Sequence, residues 1–250
     1  LLFRSTVVRN GTSVIFYVDG IPEGSEQTLS GNADATYNSL GRGYGSQYLT
    51  GSMKNVAIWE RALTATEIQN VMYKSYAEVS GRLTDGLVSW WALDADSLGS
   101  ELITDGALDD TNNWEFAGGA THPSISNGIA TYTSGGYMLP ISANRFSVVS
   151  GAKYQASFDI LTNENTGLTG VKAILQHNNG GGDASGSYVT SVGTHTVNLT
   201  ATTTVSTAHI LIYSQDNDFI GTIDNVSFRE VQIEDLKGSN DGSIFGATVD

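Results

Sequence analysis

Short runs of alternating apolar and polar residues, broken by Gly, Asn and Asp, recur along nearly the whole chain and predict strands rather than helices. Residues 3–8 are apolar and Thr-rich, and Asn10-Gly11 is a strong hairpin signal. Residues 14–18 form the next apolar run, closed by a turn at Asp19-Gly20. A third strand is expected around Ser39-Leu40, before the glycine-rich residues 41–45. In residues 51–59, Met53, Asn55, Ala57 and Trp59 share one parity and Lys54, Val56 and Ile58 the other. Neither face is cleanly polar, as expected of a strand between two layers. One helix interrupts the pattern. Thr64 and Glu67 are spaced as a capping box, Leu63 and Ile68 as its hydrophobic staple, and Ile68, Val71, Met72 and Tyr76 recur at helical spacing. They predict a helix near residues 65–76.

Residues 99–231 return to the strand pattern, with six or more candidate strands between loops rich in Gly, Asn, Asp and Ser, so an antiparallel sandwich is expected. Alternation points Tyr154, Ala156, Phe158 and Ile160 inward, and Lys153, Gln155, Ser157 and Asp159 outward. Ile210 and Ile212 point inward, leaving His209, Leu211 and Tyr213 outside; at 171–177 the faces are ambiguous. The run 178–183 reads as a solvated loop. Flanking this block are an apolar strand at 86–94 and a polar turn with a short strand at 235–247.

Charge changes the picture by dividing the chain. Residues 1–84 carry seven acids and seven bases, whereas residues 85–250 carry nineteen acids, five bases and hence the whole net charge of −14. Such an acidic chain lacks the clustered Lys and Arg that phosphate backbones require, so nucleic acid is not an expected partner. With no cysteine there is neither a disulfide framework nor a thiol nucleophile. No run approaches the roughly 18 apolar residues of a membrane-spanning helix, so membrane insertion is not expected. A start at Leu1 without Met or signal peptide reads as a mature piece or a fragment.

The run 16–20 followed by 51–68, with its Tyr17-x-Asp19-Gly20 hairpin and strand-then-capped-helix ending, resembles the C-terminal half of a laminin G-like, concanavalin A-like jelly-roll domain. Residues 86–94 and 238–244 resemble pieces of that family's N-terminal half, here set far apart. The block between them is similar to the jelly-roll carbohydrate-binding modules attached to polysaccharide enzymes. The similarity lies in the opening 101–109 with Trp114 beyond it, and in the ending 221–230. In the opening, Asp105, Ala107, Leu108 and Asp109 depart from the usual residues. The resemblance implies all-β, antiparallel jelly-roll sandwiches with one short capped helix, divided into three parts. These are a C-terminal half-sandwich at 1–84, a split unit from 85–98 plus 232–250, and an inserted module at 99–231. The split unit either starts a second sandwich or completes the first, in which case residues 87–93 pair with 54–59.

Candidate sites follow from faces and from the resemblance. Outward Gln155, Asp159, His209 and Tyr213, with Tyr132 or Tyr137 as an aromatic wall, suit a sheet face that stacks on sugar rings and bonds their hydroxyls. The bland alternative is a solvated face. Asp224 shares parity with Val226 and Phe228, which implies a buried carboxylate in need of partners. The resemblance implies that Asp224 and Asp109 hold a structural Ca2+, although calcium takes about six to eight oxygens and two side chains do not suffice. The alternative is a carboxylate accepting backbone N–H bonds. Turn chemistry explains Asp19 and Asp241, although the resembled laminin G-like domains sometimes hold calcium at their rims. A glycosidase needs two carboxylates about 5–10 Å apart across a cleft; no acids pair on successive same-face strand positions beside an aromatic, and no Gly-x-Ser-x-Gly elbow or His-Glu-x-x-His motif occurs, so catalysis is not expected. The expected function is therefore a non-catalytic carbohydrate-binding or adhesion array. It would meet a polysaccharide or cell-surface glycan and neighbouring domains at an extracellular, cell or virion surface. The alternatives are a structural spacer without a small ligand and, more remotely, an accessory part of a polysaccharide-degrading enzyme.

Overall fold

The computed structural model describes residues 4–30, 39–42, 47–117, 123–134, 136–164, 170–177, 181–215 and 219–244. Over these residues the protein is all-β and antiparallel, with one short α-helix. It divides into two compact units, one made of residues through Asp96 together with Ile233–Gly242, the other of Ser97–Gln232 together with the described residues 243–244.

In the first unit, β1 (Ser5–Asn10) and β2 (Ser13–Val18) form the hairpin signalled by Asn10-Gly11, where Gly11 takes φ 60°. The two-residue strands β3 (Ile21–Pro22) and β4 (Gln27–Thr28) both pair with β2. Val8, Ile15 and Tyr17 share one face and pack with Trp59, Leu63 and Ile68. The opposite face leaves Val7, Phe16, Val18 and Ile21 exposed. Ser39 and Leu40 themselves lie outside any strand. An isolated bridge joins Arg42 to Tyr48, and residues 31–38 and 43–46 lie outside the described set.

After β5 (Val56–Trp59), helix α1 (Ala65–Val71) begins with both halves of its capping box in place. The Glu67 backbone N–H donates to Thr64 Oγ1 at 3.2 Å, and the Thr64 N–H donates to Glu67 Oε2 at 2.9 Å. The helix is shorter than its apolar spacing predicts because a second capping box competes for the chain. Ser75 N–H donates to Glu78 Oε2 at 2.8 Å and starts a separate 3₁₀ turn, Tyr76–Glu78.

Strand β6 (Leu87–Trp91) pairs antiparallel with β5, Val56 opposite Trp91 and Ile58 opposite Ser89, and Trp90 meets Trp59 edge-to-face at 6.2 Å. The outer side of β6 is gripped by residues far along the chain. Asp235, 3% exposed, accepts the Trp90 N–H at 2.9 Å and the Lys237 N–H at 3.1 Å through Oδ1, and the Asn240 amide at 3.2 Å through Oδ2. Leu236 N–H donates to the Trp90 carbonyl at 2.9 Å, and Trp91 Nε1 to the Asn240 carbonyl at 2.9 Å. Burial alone would push the Asp235 carboxyl up, but the backbone donors around it win and hold it below the ordinary carboxylate value.

The second unit runs β7 (Ser97–Glu101), β8 (Trp114–Ala117), β9 (Ser124–Ser126), β10 (Ile129–Tyr132), β11 (Gly136–Pro140) and β12 (Phe146–Val148). It continues through β13 (Lys153–Asn163), β14 (Val171–His177), β15 (Gly181–Ser185), β16 (Gly193–Thr200), β17 (Val205–Ser214) and β18 (Gly221–Ile233). One sheet has the order β16-β13-β18-β10-β9 with β7 beside β18; the other is β15-β14-β17-β11-β8 with β12 beside β17. Their inner faces share one core. Tyr154, Ala156, Phe158 and Ile160 of β13 meet Val171, Ala173 and Leu175 of β14, with Ile210 and Ile212 of β17. Phe228 stacks on Tyr154 at 5.3 Å and on Phe146 at 5.0 Å. Part of the stretch read as a solvated loop, 181–183, belongs to β15; residues 178–180 lie outside the described set.

Glu101 ties the start of this unit to its last strand. It accepts the N–H groups of Ile103 at 3.2 Å and Phe228 at 2.8 Å, the Ser227 hydroxyl at 2.6 Å and Arg229 Nε at 3.0 Å.

Removing the Asp235 carboxylate would strand the buried Trp90 N–H and its neighbours, and an orphaned buried donor costs about 1–3 kcal/mol. Asp235→Ala is expected to lower stability by about 3 kcal/mol. Three of the four tryptophans (Trp59, Trp90, Trp91) belong to the first unit, so urea unfolding of the full chain followed by tryptophan fluorescence checks it; an unshifted midpoint contradicts the role given to Asp235.

Candidate functional site

The outer face of the β15-β14-β17-β11-β8 sheet gathers the side chains best suited to a ligand. Strand β17 sends Ala208, Ile210 and Ile212 into the core, so His209, Leu211 and Tyr213 stand on the outer face. Register places Lys172 of β14 and Tyr137 of β11 on either side of Tyr213, with Ile174 opposite Leu211 and Gln176 opposite His209. Beyond β15 the chain is held to β14 by two bonds between Val171 and Val189, N–H to carbonyl at 3.0 and 2.8 Å, which brings Tyr188 to the same row.

The result is a line of half-buried aromatics with a cation in it. The Tyr137 and Tyr213 rings lie 6.5 Å apart at 34°, and Tyr188 and Tyr213 6.4 Å apart at 47°. Lys172 Nζ sits 4.6 Å from the Tyr188 ring centre and 5.7 Å from that of Tyr213. Such an arrangement offers apolar ring surface for stacking and N–H and O–H groups for hydroxyl or anionic partners. It is a sheet surface; depressions of about 270 and 450 Å3, the latter lined by Tyr73, Tyr76 and Asp94, belong to the first unit.

The set expected from the sequence is split by the fold. Gln155 and Asp159 do point outward, but from β13 in the other sheet, so they share no face with His209 and Tyr213. Strand alternation distinguishes in from out and says nothing of which sheet is concerned. Gln155 Nε2 donates to Asn198 Oδ1 at 3.3 Å. Asp159 accepts from the Asn225 amide at 2.8 Å, and the Thr194 hydroxyl together with that amide holds its carboxyl below the ordinary value. Tyr132 forms no wall: it is fully buried, its hydroxyl donates to the Ile212 carbonyl at 2.8 Å, and burial pushes its phenol up. Tyr137 does reach the outer face. His209 lies on that face yet is only 4% exposed, with Nε2 donating to Gln176 Oε1 at 3.2 Å. Sequence reasoning missed Tyr188 and Lys172, since the face of 171–177 could not be assigned from a run with Val171, Ala173, Ile174 and Leu175 on both parities.

Asp224 is not buried beside Val226 and Phe228. A bulge intervenes, with Asn225 at φ 52° and the register stepping between Ser157 opposite Ser227 and Asp159 opposite Asp224. Ile223 and Val226, of opposite parity, therefore both face the core, while Asp224 is half-exposed and accepts from Asn225 N–H at 2.6 Å. Asp109 is exposed; its N–H donates to Asp105 Oδ1 at 3.0 Å. Among the described residues no group of three or more His, Asp or Glu side chains could hold a metal ion.

A laminin G family model, described as Concanavalin A-like lectin/glucanases superfamily, matches residues 5–69. Among solved structures, a chain described as "CBM4 structure and function" is 14% identical, covering 51% of this protein and 97% of its own length at a TM-score of 0.34. The N-terminal cellulose-binding domain of Cellulomonas fimi β-1,4-glucanase C is 16% identical, with 51% and 95% covered and a TM-score of 0.36. No curated protein matches the chain.

Burial, and then the nearby Arg145 guanidinium, lower the His209 pKa to about 4, with Glu115 opposing and His177 adding to the shift. The unfolded histidine takes up its proton below about 6.5, while the folded one resists until about 4. The contribution to stability is thus complete above 6.5 and is lost as the pH falls from 6.5 through 4. An NMR titration should place the His209 midpoint near 4, and His209→Gln should flatten the loss of stability over that window. A midpoint near 6.5 would show the imidazole to be solvated.

Proposed function

We propose that this protein is a non-catalytic glycan-binding or adhesion protein, and that its ligand lies across the outer face of the β15-β14-β17-β11-β8 sheet. The observation that carries this reading is the row of Tyr137, Tyr213, Lys172 and Tyr188, set in register by three neighbouring strands and the segment beyond β15. Rings on a strand-borne surface are preorganised: they lose little freedom on binding, and an extended polymer can lie along them. The polar pair Gln176 and His209 continues the face along the strands and offers hydroxyl partners. The jelly-roll resemblance of residues 99–231 supports the same ligand class. It also supports an extracellular, cell-surface or virion setting.

We read the first unit as one composite sandwich, with the 99–231 block inserted between its strands. The pairing of β5 with β6 and the Asp235 grip on β6 support that reading. The resemblance further implies a structural Ca2+ at Asp109 and Asp224. Given the side chains described there, such an ion would draw most of its ligands from backbone carbonyls and water.

A glycan array tests the ligand reading, with Tyr213→Ala and Tyr137→Ala alongside. Truncating a central aromatic anchor typically costs about tenfold or more in affinity, so selective binding that each variant weakens is the expected outcome. Silence across neutral and charged polysaccharides would leave the spacer reading. For calcium, melting temperature is measured with excess ion and with chelator: a rise that Asp224→Ala abolishes is expected of a bound ion, and identical melts exclude it.

A further inference from the structure

We propose that the glycan bound on the tyrosine row is anionic, with a sugar carboxylate or sulfate ester meeting the Lys172 ammonium. This rests on the ligand reading above and specifies its chemistry. Between residues 97 and 232 acids outnumber bases twelve to four, so a lysine there has carboxylates in abundance to pair with. Arg229 takes one, with Nε 3.0 Å from Glu101. Lys172 forms no ion pair among the described residues. It is held instead between two ring faces, 4.6 Å from Tyr188 and 5.7 Å from Tyr213.

A ring-held ammonium is positioned without being neutralised. The quadrupole of each tyrosine attracts the cation, yet supplies no oxygen to accept its N–H groups, so the three donors keep their capacity for an incoming acceptor. A neutral sugar needs rings and amides; it gives a central cation no special task. An oxyanion on the sugar makes a charge-assisted bond to Lys172 while the pyranose rests on Tyr137 or Tyr213. The overall charge of −14 repels polyanions at long range, so affinity for one has to come from a local arrangement of this kind. Charge at the other end of the row is mixed, with Arg145 and Glu115 both acting on His209, which leaves Lys172 as the site of anion selection.

The experiment uses the full chain in titration calorimetry against polygalacturonate, its fully methyl-esterified counterpart and a sulfated galactan, with Lys172→Met, Lys172→Arg and Tyr213→Ala. The expected result is binding to polygalacturonate or the sulfated galactan at least about tenfold tighter than to the neutral ester. Lys172→Met should abolish that preference, Lys172→Arg should retain it, and Tyr213→Ala should weaken all binding. Which polyanion binds identifies the oxyanion. Equal affinity for the ester and its acid, or a preference that survives Lys172→Met with an unchanged melting temperature, overturns the inference while leaving glycan binding intact. Absence of binding to all three polymers and to the neutral glycans of the array overturns both.

Discussion

A carboxylate taken out of water must be met by donors, and the chain uses that demand to fasten distant segments. Asp235 does so in the first unit by accepting the N–H of Trp90, a residue 145 positions earlier. Glu101, which stays exposed to solvent, makes a comparable tie in the second unit by accepting the N–H of Phe228, 127 positions later, with Ser227 and Arg229 completing the set. In each case a side-chain carboxylate accepts a backbone N–H far along the chain, and at Asp235, where the bond is buried, the penalty for leaving the donor bare enforces the arrangement. Hydrophobic patterning makes the sheets, but it is non-directional. The carboxylates select which segment lies beside which strand.

The local rules were well legible in the sequence. Asn10-Gly11 turns the chain where a hairpin should, Thr64 and Glu67 cap a helix, and the alternation along residues 153–160 separates core from solvent. What alternation could not convey is the identity of the sheet, which is a long-range property; Gln155 and Tyr213 both point outward, on different sheets. It also fails where one extra residue enters a strand. The bulge at Asp224 and Asn225 reverses parity, so a carboxylate assigned to the core lies half in water. Tyr132 is buried for a related reason: its hydroxyl finds the Ile212 carbonyl inside the sandwich, a partner that only the packed structure reveals.

The tyrosine row was half-legible. Tyr213 and Tyr137 stand on strands whose parity can be read, while Lys172 lies in a run apolar on both sides and Tyr188 in a segment outside any strand. Their convergence is a product of three registers and one bridge. Cross-strand neighbours of this kind have no sequence proximity at all, which is why a site spread over a sheet face is harder to read than a motif built on one loop.

The first unit is discontinuous along the chain, and this sets an order of events during synthesis. The later residues of that unit, Ile233–Gly242, leave the ribosome only after Ser97–Gln232 have emerged. Closing a loop of that length in an unfolded chain would carry a large entropic cost. The second unit removes most of it beforehand, because its own folding pairs Ser97 with Gln232 and so brings together the two points where the chain leaves and rejoins the first unit. Pairing of Ser97 with Gln232 within the second unit thus shortens the loop that the first unit must close.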